Sequence, residues 1–82
     1  MIHSPEHTPA PGAERLLGYV SYGVDVGEVF FDWPELYDVA PGVGTETIKS
    51  EVRRAFADTN YTPHFDEGGL WMLPGGTSGG GE

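Results

Sequence analysis

LLGYVSYGVDVGEVFFDW, residues 16–33, is the stretch whose reading decides the fold. Taken with a period of two, Val20, Tyr22 and Val24 share one face of residues 16–24, while Tyr19, Ser21 and Gly23 share the other. Asp25-Val26-Gly27 then offers a turn whose glycine is free to take positive φ. Residues 28–33 return with Val29, Phe31 and Trp33 on one face and Glu28, Phe30 and Asp32 on the other. The β-branched and aromatic content favours extended chain in both arms. The reading predicts a β-hairpin.

Outward from this hairpin, Pro34 ends the second strand, because it has no N–H for a central ladder. Asp32 followed three residues later by Glu35, with Pro34 between, also reads as a helix start. Residues 33–39 are therefore either a helical turn or an extended segment, and Pro41-Gly42 closes either one. Residues 45–58 read as the main helix. Thr45 is the expected N-cap, and Glu46 falls in the first turn, where the helix dipole favours an acid. Ile48, Val52, Ala55 and Phe56 form an apolar stripe at helical spacing, with Lys49, Arg53 and Arg54 off it. Residues 61–65 and 70–73 read as a second hairpin around Asp66-Glu67-Gly68-Gly69. The expected fold is α+β: a small antiparallel sheet in β-β-α-β-β order, with one main helix packed on it. Residues 1–14 are Pro-rich and residues 74–82 Gly-rich. Both are expected to be disordered ends of a domain over 15–73, since neither buries enough apolar surface to offset its ordering entropy.

Charge narrows the partner. Thirteen acids face four bases, for a net charge of −9. Three of the four bases (Lys49, Arg53, Arg54) lie close together, and none falls between residues 16 and 48. Affinity for phosphate comes from Lys and Arg releasing counterions, so direct nucleic-acid binding and anionic membranes are disfavoured. A basic protein partner is favoured. No apolar run approaches the roughly 20 residues of a membrane span. No basic region followed by an apolar one marks a secretion signal. The expected place of action is the cytoplasm, or an assembled particle.

Chemistry-bearing patterns are sparse. There is no Cys, hence no thiol nucleophile, disulfide framework or Cys-based zinc site. His3 and His7 have metal-like spacing on a helix, but Pro5 intervenes. His64 has no nucleophile beside it in sequence. Gly42-Val43-Gly44-Thr45 precedes a helix, yet the phosphate-loop Lys is missing and Glu46 would repel an anion. No enzyme activity, cofactor or metal is expected.

Ten aromatics exceed what one helix stripe and one sheet face can cover, so some are expected outside, where aromatic patches mark binding surfaces. The expected contact is Tyr19, Glu28, Phe30, Asp32, Glu35, Tyr37 and Asp38. The expected function is a small, acidic, non-enzymatic protein-binding module, such as a phage host-interaction or inhibitor protein, or a small subunit of a virion or other assembly. Its partner would be a basic protein, a neighbouring subunit or a second copy of itself. Asp25, Glu28, Asp32 and Glu35 step at helical spacing, so a DNA mimic is an alternative.

Val39-Ala40-Pro41 through Glu46, Lys49 and Val52 is similar to the segment leading into the helix of ubiquitin-like β-grasp proteins. Leu70 to Leu73 followed by Pro74-Gly75-Gly76 resembles their last strand and di-glycine, and Gly80-Gly81-Glu82 resembles the C-terminus of actinobacterial ubiquitin-like members. The resemblance implies a β-grasp core and, as a further alternative, a modifier acting through its Gly-rich C-terminus.

Overall fold

The computed structural model describes residues 9–75. The expected disorder of the two ends and the Gly-Gly tail fall largely outside these residues, as do His3 and His7. The element order is α1 (Ala13–Val26), β1 (Phe30–Asp32), α2 (Trp33–Val39), α3 (Thr45–Ala55), β2 (Tyr61–Phe65) and β3 (Gly69–Pro74). The class is α+β, as expected, but the order is α-β-α-α-β-β rather than β-β-α-β-β, and the sheet has three strands. The order does not open on two strands and a helix, as the β-grasp core implied by the resemblance would.

The first expected hairpin is replaced by a helix. Ala13, Leu16, Val20 and Gly23 are the buried residues of α1, a spacing of three and four that belongs to a helical face. Tyr22, placed with Val20 on a strand face, is 67% exposed while Val20 is fully buried. Gly27 has φ 102° and ends the helix. The Glu28 N–H donates to the Gly23 carbonyl at 2.8 Å, and the Gly27 N–H to the Val24 carbonyl at 3.3 Å. These are the two bonds of a Schellman motif. The glycine that reads as a hairpin turn is thus a helix stop. Gly23 lets this helix approach β1: a Cβ built there would lie 2.7 Å from Phe31 Cε1 and closer still to Cζ.

β1 does not pair with the preceding segment. It pairs antiparallel with β3, in register Phe30↔Trp71, Phe31↔Leu70 and Asp32↔Gly69. Close approach again requires a glycine: Gly69 has φ +147°, and a Cβ there would lie 2.6 Å from Asp32 Cα and nearer still to the Phe31 carbonyl oxygen. β2 pairs with the other side of β3, so the sheet order is β1-β3-β2. Pro63 lies in β2, an edge strand, where a missing N–H is tolerated.

Residues 33–39 are helical. Asp32 Oδ1 accepts from the Glu35 N–H at 2.9 Å, and Glu35 Oε1 accepts from the Asp32 N–H at 3.3 Å. This reciprocal capping box satisfies two donors at the helix start. The N-cap of α3 is Gly44 rather than Thr45; the Thr45 hydroxyl instead shares a hydrogen bond with Tyr37 OH at 2.7 Å. α3 ends at Ala55, short of the expected Asp58, where Thr59 Oγ1 donates to the Phe56 carbonyl at 2.9 Å. Ile48, Val52 and Phe56 are buried as expected, whereas Ala55 is exposed. They join Leu16, Val20, Phe31, Leu36, Leu70 and Met72 in one core between the helices and the inner sheet face.

Candidate functional site

Alternation sorts the sheet into two faces. Phe31, Leu70 and Met72 are fully buried beneath the helices. Phe30, Thr62, His64, Trp71 and Leu73 point the other way, and all are exposed. Among the described residues no helix covers this second face. Phe30, Trp71 and Leu73 are 36%, 37% and 43% exposed, which makes the face apolar as well as open. Phe30 and Trp71 are cross-strand partners with ring centroids 4.3 Å apart, a pairing that stiffens the centre of the patch.

The β2–β3 turn borders the patch with carboxylates. Asp66 Oδ1 accepts from the Gly68 N–H at 2.8 Å and the Gly69 N–H at 3.1 Å. Its Oδ2 accepts from the Trp71 indole N–H at 3.0 Å, which pins the ring. Its backbone carbonyl accepts from the Trp33 indole N–H at 2.8 Å. The Gly68 N–H has the largest effect on the Asp66 carboxyl; desolvation, the second, opposes it, and the Gly69 N–H, the Trp71 indole and the charge field of His64 add to the Gly68 effect, so the carboxyl is held below its usual range. Phe30, Trp71, Asp66, Glu67 and Gly68 enclose an open recess of about 330 Å³.

The seven residues named from sequence divide between roles. Tyr19, on α1, is half-buried and donates its hydroxyl to Glu35 Oε2. That hydrogen bond, then burial, then the charges of Glu35, Glu28 and Asp32 push its pKa up to about 12. Asp32 and Glu35 are engaged in the α2 cap, so these two acids hold structure together. Glu28 is exposed in the α1–β1 connection, and Asp38 is exposed on α2. Tyr37 is 41% exposed on α2, stacked on Trp33 with centroids 5.7 Å apart. Phe30 belongs to the open sheet face. Tyr19, Glu28, Asp32 and Glu35 therefore form one electrostatic neighbourhood, with Phe30 on the sheet and Tyr37 and Asp38 farther along α2. The run Asp25, Glu28, Asp32, Glu35 is spread over α1, a turn, β1 and α2, not along one helix as a DNA mimic would present it.

Trp71, Leu73, Asp66 and Glu67 were not singled out from sequence. For Trp71 and Leu73 the signal is the alternation of residues 70–73, which puts them opposite Leu70 and Met72; Asp66 and Glu67 read only as turn residues, and it is the pairing of β1 with β3 that brings Phe30 to Trp71 beside them. A second aromatic group ties α2 to α3. Trp33 stacks on Phe65 at 5.8 Å, and the Arg53 guanidinium lies 5.2 Å above the Phe65 ring. Among the described residues no group of three or more His, Asp or Glu is arranged to hold a metal ion, and no helix is long and apolar enough to cross a membrane. Compared with known protein families, curated proteins and solved structures, the chain gives no significant match.

Proposed function

We propose that this chain is a non-enzymatic protein-binding module and that its contact is the open sheet face. The observation that carries the reading is the uncovered, rigidly paired Phe30–Trp71 centre with Leu73 beside it and Asp66 and Glu67 at its rim. Large exposed aromatics with a polar rim are the anatomy of a binding patch. A net charge of −9 steers the patch toward basic partners and away from other acidic surfaces. An inhibitor docking on a basic target and a small subunit seated in a larger assembly both use such a surface. The test is capture of a partner followed by affinity measurement against Trp71→Ser and Phe30→Ser. Both substitutions remove exposed apolar surface without entering the core. Loss of affinity with the fold retained supports the reading, and unchanged affinity rejects it.

A second reading rests on connectivity. The order α1-β1-α2-α3-β2-β3 with sheet order β1-β3-β2 resembles the connectivity of a winged helix-turn-helix domain. In helix-turn-helix proteins the second helix of the motif enters the DNA major groove. Here α3 carries Lys49, Arg53 and Arg54. The flanking charges oppose it: the hairpin tip is Asp66-Glu67, and α2 presents Asp38, all exposed, where a wing and a preceding helix would meet phosphate. Arg53 is also engaged with Phe65. Fluorescence anisotropy with mixed-sequence duplex DNA at low salt separates the two. Saturable binding lost on Arg54→Ala would transfer the function to α3.

A further inference from the structure

We propose that the recess bounded by Phe30, Trp71, Asp66 and Glu67 receives an arginine side chain of the partner, carried on a segment that crosses the open sheet face. This inference rests on the protein-binding reading and names the chemistry of what is bound. The recess combines the two surfaces a guanidinium seeks. Trp71 offers a partly exposed indole, buttressed by the Phe30 ring at 4.3 Å and locked by its own bond to Asp66 at 3.0 Å. A planar, weakly hydrated guanidinium stacks on such a ring more favourably than a compact, strongly hydrated ammonium does. Asp66 offers a carboxylate already oriented by three donors. An ionised carboxylate accepts about four hydrogen bonds, so capacity for an N–H remains. Glu67 adds a second exposed carboxylate at the same rim. The molecule already contains the same kind of contact, in Arg53 over Phe65.

Charge selects the occupant. A second copy of this chain would bring another net charge of −9 to the surface. Residues 1–8 and 76–82 contain no Arg, so they offer no guanidinium. A basic segment of another protein fits what remains.

The test is selection of binders from a random linear peptide library on the intact chain, with counter-selection against Trp71→Ser. The selected peptides are then measured against wild type, Asp66→Asn and Glu67→Gln. In Asp66→Asn the side-chain oxygen can keep the turn's backbone bonds, but the amide nitrogen cannot accept from the Trp71 indole, so Glu67→Gln, at an exposed residue, and the citrulline peptide separate lost charge from a freed ring; the Trp71 indole NMR signal reports whether the ring has moved. The expected result is enrichment of Arg-containing peptides whose affinity falls about ten-fold when the carboxylate is neutralised or the Arg is replaced by its uncharged isostere citrulline. Peptides that need Trp71 but contain no Arg, or that tolerate both carboxylate substitutions and citrulline, overturn this inference and leave the protein-binding face standing. Absence of any peptide that depends on Trp71 overturns both.

Discussion

Gly23 and Gly18 lie on different sides of α1 and predict opposite outcomes for the same substitution. At Gly23 an added methyl meets the Phe31 ring, so Gly23→Ala should lower stability by ~1–3 kcal/mol through overpacking. At Gly18 nothing lies within 4 Å, so Gly18→Ala should raise stability by ~0.5–1 kcal/mol, as expected for a helix-interior glycine. Urea denaturation of the two variants checks this, and equal signs would reject the orientation of α1. Tyr19 gives a pH signature. Its folded pKa is raised from 10.0 to about 12, so the folded state keeps the phenolic proton longer than the unfolded chain does. Its contribution to stability is therefore intact below pH ~10 and is lost as pH rises toward ~12. Tyr19→Phe should flatten that part of the stability curve, and in Glu35→Gln the Tyr19 phenolate should appear at lower pH by ultraviolet titration. The buried Gly23 also shows why a residue can mislead in sequence. A glycine among valines and tyrosines reads as a gap in a strand face, and only the ring that fills the gap, eight positions later, shows it to be part of a helix face.

At the scale of elements, legibility followed how local each signal was. The α2 start was legible in part: residues 33–39 alone read equally as extended chain, but Asp32, Pro34 and Glu35 make a complete cap within four residues. Asp32→Ala should therefore cost ~1 kcal/mol, with loss of hydrogen-exchange protection concentrated in α2; uniform loss across the chain would contradict a local cap. The β2–β3 hairpin was legible from its Asp66-to-Gly69 turn, and α3 from its apolar stripe. α1 was not, because residues 16–26 satisfy two periods at once: Val20, Tyr22 and Val24 alternate, while Leu16, Val20 and Gly23 recur at helical spacing. Packing against α3 and Phe31 decides for the helix, and packing is not written in a single segment. The partner of β1 was illegible for the same reason, since its register with β3 joins residues about 40 positions apart. The site inherited that error. With β1 paired to the wrong neighbour, Phe30 could not be placed beside Trp71.

For the whole molecule, one core serves three helices and one sheet face, so a single large deletion should be felt everywhere. Phe56 is 8% exposed within that core, and Phe56→Ala should cost ~3–5 kcal/mol, a large share of the stability of a domain this small. An unchanged thermal melt would reject the packing. The net charge predicts that partner association slows as salt rises, mainly through the on-rate; stopped-flow mixing at two ionic strengths checks it. The order β1-β3-β2 has a further consequence for how the protein is made. The central strand of the sheet is the last of the six elements to leave the ribosome. Until it emerges, β1 and β2 have no partner, and the aromatic pair cannot form. A nascent chain stalled before Gly69 would hold three helices and two orphan strands, the kind of exposed edge that chaperones capture. The sheet should therefore close only after translation has passed β3, which a force-sensing arrest peptide placed at increasing distances behind Pro74 would register as one late pulling event.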